Sequence, residues 1–195
     1  MKYTIGIDEV GRGSLAGPVV VAAVAMPKKL ILRNEGLGKL RDSKKLSAKQ
    51  REAWTKYFKN HQKISYALAR VYPKTIDRIN ISRAANLAAL RAFCRLIYDL
   101  RIKNYEAFLD GGLFLGNGKS RNNNGKTIIK GDEKITAIKI ASIVAKVWRD
   151  NVMKRLAKKY PRYGFEIHKG YGTKIHFAAI KKFGPSEVHR RSFTV

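Results

Sequence analysis

Acidic residues are scarce in this sequence. Of its 195 residues, 14 are Asp or Glu and 41 are Lys or Arg, which gives a formal net charge of +27. Such a surface repels itself unless a polyanion shares it. The charge therefore argues against a protein built around a small neutral or cationic substrate. It favours nucleic acid as the partner, with an anionic membrane surface as the second choice.

Cysteine, proline-rich segments and long apolar runs are also scarce. Cys94 is the single cysteine, which excludes an internal disulfide and favours a reducing compartment. Because it lies in an apolar stretch, we expect it to be a packing residue. The longest apolar run, 18–26, is too short to cross a bilayer. We expect one soluble, cytoplasmic domain over 1–195, with a C-terminal helical segment from about 160 packed on it.

The apolar periodicity predicts strands that alternate with helices. Strands are predicted at 2–9, 17–26, 63–72, 105–109 and 127–130. Helices are predicted at 82–102, 134–158 and 173–183, and after a capping box formed by Ser47 and Gln50. In the helix over 82–102, Ala89, Phe93, Leu96 and Leu100 form one apolar stripe. This alternation predicts the α/β class, with the two long helices covering a central sheet.

Four of the few acidic residues fall at the ends of predicted strands. Asp8 and Glu9 end the first strand, Asp110 ends another, and Asp132 follows a third. Ligand sites in open α/β sheets gather at strand ends, and carboxylates that meet there suit hard cations such as Mg²⁺ or Mn²⁺. Two such ions roughly 3.5–4 Å apart cleave phosphodiesters. For any single acid, a helix cap or a lysine pair is the alternative interpretation.

Six blocks of the sequence, in the family's order, resemble ribonuclease HII and cover nearly the whole chain. They read DEVGRG with LAGPV (8–19), DSKKLS (42–47), KGD (130–132), ASIVAKVWRD (141–150), HKGYGT (168–173) and HRRSF (189–193). The related ribonuclease HIII fits less well, because its motif lacks the arginine found here at position 12. Ser14 departs from the family, which usually has proline there.

The resemblance implies a fold and an activity. The fold is RNase H-like, a mixed five-stranded sheet flanked by helices. The activity is that of an endonuclease that hydrolyses the RNA strand of RNA–DNA hybrids and cuts at single ribonucleotides embedded in duplex DNA. Cleavage on the 5′ side of the ribonucleotide would leave 3′-hydroxyl and 5′-phosphate ends. The implied cofactors are two divalent ions, Mg²⁺ or Mn²⁺.

The same resemblance assigns the catalytic and metal-binding roles to four carboxylates, Asp8, Glu9, Asp110 and Asp132. Asp8 is expected to bridge the two ions. Asp150 is a rival for the fourth place, but it lies on the basic half of the helix over 134–158. We therefore expect Asp150 to pair with Lys146 or Arg149 or to cap a neighbour, and we choose Asp132 because it directly follows a strand.

Substrate contacts are assigned by resemblance as well. Gly11, Arg12 and Gly13 resemble the loop that reads the ribose, since glycine lets a backbone approach a 2′-hydroxyl closely. Tyr171 resembles the tyrosine that stacks on the sugar at the RNA-to-DNA junction. Five further residues are expected to contact phosphates: Ser43, Lys44, Lys45, Arg190 and Arg191. The last two have an alternative role in fixing the C-terminal tail.

Two other functions remain open at this stage. One is a noncatalytic duplex-binding protein, against which the acidic residues argue. The other is a nuclease of the same fold that acts on DNA junctions. We expect a monomer without a protein partner, because no segment after Val195 offers a docking tail. His176 is interpreted as a surface or packing histidine, because a metal-generated hydroxide needs no separate base.

Overall fold

The computed structural model describes residues 1–33, 36–116 and 125–193. These residues form one mixed sheet whose spatial order is β3-β2-β1-β4-β5. Its strands are β1 (Tyr3–Val10), β2 (Val19–Pro27), β3 (Ser65–Val71), β4 (Tyr105–Asp110) and β5 (Lys126–Ile128). β1 is antiparallel to β2 and parallel to β4, and β5 is parallel to β4. The carboxyl ends of β1, β4 and β5 therefore lie at one edge of the sheet.

Helices cover both faces of this sheet. They are α1 (Ala48–Asn60), α2 (Pro73–Ile79), α3 (Ile81–Leu100), α4 (Gly131–Lys134), α5 (Thr136–Lys159), α6 (Phe165–His168) and α7 (Lys174–Phe183), with 3₁₀ turns at Ser43–Lys45 and Pro161–Tyr163. The predicted capping box of Ser47 and Gln50 begins α1. The fold class predicted from the sequence is thus confirmed. The predicted helix over 134–158 instead begins at Thr136, because Ile135 is extended and separates it from α4.

Small residues let the two long helices pack closely on the sheet. α3 lays a row of buried alanines against β2 and β3, among them Ala85, Ala88 and Ala92. On the other face, α5 crosses β1 at Gly6, where an added Cβ would lie 2.1 Å from the backbone of Ala137. This contact holds the amino-terminal half of α5 directly over β1, and so next to the strand end that carries Asp8.

The C-terminal segment forms a third apolar cluster around the loop that joins β1 and β2. Leu15 and Ala16 of this loop pack with Met153 of α5 and with Phe165 of α6. Isolated β-bridges also join Ser14 to Tyr171 and Ala16 to His189. The loop after β1 is therefore held by residues more than 150 positions later in the chain.

Two packing expectations on α3 are wrong. Cys94 is exposed, because it lies on the solvent side of the helix rather than among the buried alanines. Leu100, the last residue of α3, is 39% exposed, whereas Ala89, Phe93 and Leu96 of the same predicted stripe are buried. Among the described residues, none of the helices combines the length and apolar character needed to cross a membrane.

Candidate active site

The four predicted carboxylates line a single cleft at the carboxyl edge of the sheet. Asp8 and Glu9 lie in β1, and Asp110 ends the neighbouring parallel strand β4, whose Leu109 is in register with Ile7. Asp132 lies in the first turn of α4, just beyond β5. The cleft has a volume of about 370 Å³. Residues from both ends of the chain, including Gly11 and Tyr171, complete its wall.

Burial and nearby carboxylates make three of these side chains, Asp8, Glu9 and Asp132, hard to ionise. Burial, followed by the charges of Glu9 and Asp110, raises the pKa of Asp8 well above its usual value. Burial also raises the pKa of Glu9, although the Arg12 guanidinium partly opposes the shift. The pKa of Asp132 is raised by burial and then by Asp110. A cation in the cleft would relieve this repulsion and favour the ionised forms.

Each of three carboxylates already has one oxygen held by a protein donor. The backbone N–H of Glu9 donates to Oδ1 of Asp8 at 2.7 Å, and that of Gly131 donates to Oδ1 of Asp110 at 2.7 Å. Oε1 of Glu9 lies 3.3 Å from Nη1 of Arg12. Its other oxygen, Oε2, is buried and accepts no hydrogen bond from any residue that the structure describes. A buried carboxylate oxygen without a donor is costly unless a cation binds it.

The donor set therefore fits hard divalent cations, which take carboxylate oxygens as ligands. Over 1–33, 36–116 and 125–193, however, no three Asp, Glu, His or Cys side chains are already close enough together to hold a metal ion. Coordination would require the carboxylates to turn toward a shared ion. The four carboxylates thus lie in one cleft, and small side-chain rotations would be needed for them to share an ion.

The rival carboxylate Asp150 lies outside this cleft wall. Its Oδ1 accepts a hydrogen bond from Nζ of Lys146 at 2.8 Å, and Arg51 lies within 3.9 Å of its other oxygen. The expected pairing with Lys146 is therefore present, and Lys146 itself reaches the cleft. Asp150 therefore orients Lys146, and Lys146 brings a positive charge to the acidic cleft.

The Gly11–Gly13 segment borders the cleft directly after the acidic pair. Gly11 has a φ of +86°, and an added Cβ would lie 2.1 Å from Nε of Arg149, so only glycine fits. Around Gly13, an added Cβ would meet nothing within 4 Å, so this backbone faces open space. The backbone here is accessible to a ligand at Gly13 and tightly packed at Gly11.

Two buried arginines hold this loop by its carbonyl groups. Arg190 is fully buried and donates to the carbonyl oxygens of Gly11 at 2.6 Å, Arg12 at 2.8 Å and Gly17 at 2.9 Å. Arg149, also fully buried, donates to the carbonyls of Ala16, Pro18 and Lys169. Burial and then the nearby Arg149 charge lower the pKa of Arg190 to about 9.

A phosphate contact by the Arg190 side chain, predicted from the sequence, is therefore wrong. The guanidinium is enclosed by the β1–β2 loop, and all its described hydrogen bonds go to backbone carbonyls. Arg191 is exposed, and its backbone N–H donates to Asp77 on α2 at 3.0 Å. Neither arginine lines the acidic cleft. Arg190 instead ties the C-terminal segment to the β1–β2 loop, in line with the alternative role of fixing the C-terminal tail.

The other predicted phosphate contacts divide into two groups. Ser43 and Lys44 line the cleft. Lys45 does not, and its Nζ lies 3.3 Å from Oε1 of Glu133. Tyr171 lines the cleft, and its ring lies beneath Lys146 and Arg149, 5.9 and 5.4 Å from their charged groups. Two of these three predicted phosphate contacts, and the tyrosine predicted to stack on the sugar, therefore line the cleft.

Sequence reasoning missed Ser142 of α5. Its buried hydroxyl lies 2.8 Å from that of Ser43, and its interaction with Asp8 offsets part of the rise in the pKa of that carboxyl. The signal was present, because Ser142 is a polar residue in an otherwise apolar stretch, 140–145. His176 is buried and pairs with His189 at 3.0 Å between their Nε2 atoms, in line with its expected packing role.

A mixed sheet flanked by helices, with an acidic cleft at its strand ends in a strongly cationic chain, defines a phosphodiester hydrolase of the ribonuclease H class. The sequence model of the family described as Ribonuclease HII matches residues 5–195. This chain belongs to the ribonuclease HII family, which consists of divalent-metal-dependent endoribonucleases. Family membership decides against the noncatalytic duplex-binding alternative.

Individual relatives support the assignment. The chain is 45% identical to ribonuclease HII of Caldicellulosiruptor bescii over 98% of this chain and 86% of that protein. It is 46% identical to ribonuclease HII of Coxiella burnetii over 96% of this chain and 86% of that protein. These similarities extend over nearly the whole chain.

Solved structures agree with the fold. The ribonuclease HII of Archaeoglobus fulgidus, solved in a complex with PCNA, is 26% identical, with a TM-score of 0.75 over 98% of this chain and 95% of that chain. A Bst ribonuclease HIII solved in complex with Mn²⁺ gives a TM-score of 0.77 at 20% identity, over 98% of this chain and 67% of that chain. The second likeness concerns the fold alone.

Proposed function

We propose that this protein hydrolyses the RNA strand of RNA–DNA hybrids and cuts duplex DNA on the 5′ side of single embedded ribonucleotides, leaving 3′-hydroxyl and 5′-phosphate ends. The observation that carries the proposal is the shared cleft. It combines four carboxylates with the Gly11–Gly13 loop and Tyr171 in one continuous wall. A cleft that held carboxylates alone would favour phosphodiester cleavage without a preference for ribose.

Asp8, Glu9, Asp110 and Asp132 would hold two divalent ions, Mg²⁺ or Mn²⁺. When bound, such ions supply a nucleophilic hydroxide and stabilise the leaving oxygen. The chain's own residues prepare the site for them. Ser142 and the Glu9 amide hydrogen-bond Asp8 and favour its ionised form, and the Gly131 amide fixes one oxygen of Asp110.

Recognition of the ribose would depend on the Gly11–Gly13 loop. The open space at Gly13 allows a sugar to approach the backbone, where amide and carbonyl groups can bond a 2′-hydroxyl. The carbonyls of Gly11 and Arg12 are held by Arg190, so the loop is rigid before substrate binds. Preorganised groups lose less entropy on binding and discriminate more sharply.

Tyr171 and two lysines complete the proposed substrate site. The Tyr171 ring is expected to stack on the sugar next to the cut, because the β-bridge to Ser14 places it beside the loop. Lys44 and Lys146 line the cleft, and we expect them to contact phosphates on either side of the scissile bond. Arg191 and Lys45 lie outside this wall and are at most peripheral phosphate contacts.

The direct test is a duplex that contains one ribonucleotide, offered with Mg²⁺ or with Mn²⁺. The expected result is a single cut on its 5′ side, with an intact all-DNA control. Asp8→Asn should remove cutting and largely spare duplex binding. Asp99→Asn on α3 is the matched control, because Asp99 is exposed and pairs with Arg95 outside the cleft. Equal cutting of the all-DNA duplex would refute the proposal.

The remaining alternative, a nuclease for DNA junctions, is tested with branched all-DNA substrates in the same assay. Preferential cutting of those substrates would favour it over ribonucleotide cleavage. The expectation of a monomer that acts without a protein partner also stays a prediction, since the Archaeoglobus fulgidus relative was solved with PCNA. Sedimentation of the purified chain, alone and with duplex, measures its mass directly.

A further inference from the structure

Arg70, near the end of β3, places its guanidinium over two aromatic rings. Its Cζ is 5.5 Å from the centre of the Tyr72 ring and 5.2 Å from that of Trp148 on α5. Tyr72 is 51% exposed, and Arg70 itself is exposed. Guanidinium stacking of this kind holds the planar group in one orientation. The side chain is therefore ordered without being buried.

The donors of this ordered guanidinium are unused. Within the described residues, no hydrogen bond or ion pair involves Arg70, whereas Arg95 in the same groove pairs with Asp99 at 3.6 Å. A stacked guanidinium keeps its N–H edge free for a planar, bidentate acceptor such as a phosphate. Arg70 thus presents a fixed cationic fork at the surface of the molecule.

The sheet register places this fork close to the acidic cleft. Val10 pairs with Val20, and Val20 pairs with Arg70, so the three positions lie side by side at the same end of the sheet. Asp8 and Val10 share a strand face, since side chains alternate along a strand. From the strand spacing and the rise per residue, the Cα atoms of Asp8 and Arg70 are roughly 12 Å apart.

Arg70 also lies on the α5 side of the sheet, as Asp8 does. Val20 belongs to the apolar cluster under α5, and Trp148 packs on that cluster. Asp8 bonds Ser142 of the same helix. A duplex whose scissile phosphate reaches Asp8 therefore has further backbone phosphates, a few nucleotides along, within reach of Arg70.

We propose that the stacked group formed by Tyr72, Arg70 and Trp148 binds one backbone phosphate of the duplex that flanks the cleavage site. This surface deepens the proposed function, since it positions the same substrate by a contact outside the cleft. Arg70 donates to the phosphate, while the two rings hold the guanidinium in place. Such a contact adds affinity and register without reading the base or the sugar.

The test measures duplex binding without divalent ions, so that the substrate stays intact. Affinity is followed by fluorescence anisotropy over a salt series, for an RNA–DNA hybrid and for a duplex with one ribonucleotide. Losing one phosphate contact lowers the slope of log K against log salt by about 0.9, and the affinity at 0.1 M salt by about eightfold. Arg70→Gln should show both effects, and Arg95→Gln should show neither.

A scan with single neutral methylphosphonate linkages locates the contact. One position, a few nucleotides from the ribonucleotide, should weaken binding by the wild-type protein but not by Arg70→Gln. The proposal is overturned if the affinity losses caused by the neutral linkage and by Arg70→Gln add at every position. It is also overturned if Arg70→Gln keeps the wild-type salt slope. Because binding to the hybrid needs no cleavage, a failure to cut at ribonucleotides would refute the proposed function and leave this test valid.

Thermal melting shows whether Arg70→Gln is folded. If Arg70→Gln is unfolded, Arg70→Lys is used in its place. Because lysine keeps the positive charge, binding by Arg70→Lys must still be weakened by the same neutral linkage. Insensitivity of Arg70→Lys at that position overturns the proposal. Trp148 provides a second readout, since Trp54, the other tryptophan, is 1% exposed. Duplex binding should change tryptophan fluorescence, and an unchanged signal counts against a contact at this surface.

Discussion

The hydrogen bonds of Arg190 make a sharp prediction about stability. Its guanidinium donates to three backbone carbonyls, and the side chain is fully buried. Arg190→Lys keeps the positive charge but replaces a planar fork with a single ammonium group. That group cannot reach the carbonyls of Gly11, Arg12 and Gly17 together. One or two of these three buried carbonyls are therefore left without a donor.

The size of the effect follows from those lost bonds. A buried polar group without its partner costs about 1–3 kcal/mol, so we expect the free energy of unfolding to fall by about 2–4 kcal/mol. For a chain of this length, such a loss lowers the melting temperature by about 4–16 °C. The loop next to the acidic pair should also loosen, and discrimination between ribose and deoxyribose should weaken.

The neighbouring residue supplies the control. Arg191 is exposed, so Arg191→Lys is the same chemical change one position later and should shift the melting temperature by less than about 1 °C. Calorimetry of both variants measures the difference, and cleavage of ribonucleotide and all-DNA duplexes measures selectivity. If Arg190→Lys melts like Arg191→Lys, the argument that these carbonyls depend on the guanidinium is wrong.

Three further predictions concern single residues. Ser142→Ala removes a hydrogen bond to Asp8. Because such a bond contributes about 1–1.5 kcal/mol, kcat at saturating substrate should fall about tenfold. An unchanged kcat would contradict this role of Ser142. Burial lowers the pKa of His189 to about 4, so between pH 6.5 and 4 the unfolded chain binds a proton that the folded chain does not. The unfolding free energy from urea titrations should therefore fall as the pH falls through that window, and His189→Gln should show a shallower fall than the wild type. Cys94 is exposed, so a thiol reagent should label the native protein once without loss of cleavage, and labelling only after denaturation would refute the exposure.

Local sequence signals were sufficient for most elements of the fold. The capping box of Ser47 and Gln50, the alanine row of α3 and the Val-rich β2 each act through near neighbours or a simple burial period, so their effects are visible in the chain. The four carboxylates could also be predicted, because each lies at or just beyond the end of a short apolar strand. Their meeting in one cleft then follows from the parallel pairing of β1, β4 and β5.

The buried arginines show what the sequence could not reveal. In a chain with 41 basic residues, nothing local distinguishes Arg190, which is enclosed by a loop about 175 positions earlier, from the exposed Arg191. The prediction that Cys94 is a packing residue was wrong for a similar reason. The stretch around it is apolar on average, and only the rotation of α3 against the sheet decides which side faces water. Such outcomes depend on tertiary packing.

The hydrogen bonds by which Arg149 and Arg190 hold the β1–β2 loop have a consequence for folding during synthesis. The acidic pair and the loop emerge early from the ribosome, but Arg149, Tyr171 and Arg190 emerge much later. During synthesis the nascent chain carries Asp8 and Glu9 beside an unanchored loop. Selective nuclease activity should therefore arise only after Arg190 has left the ribosome and can hold the loop.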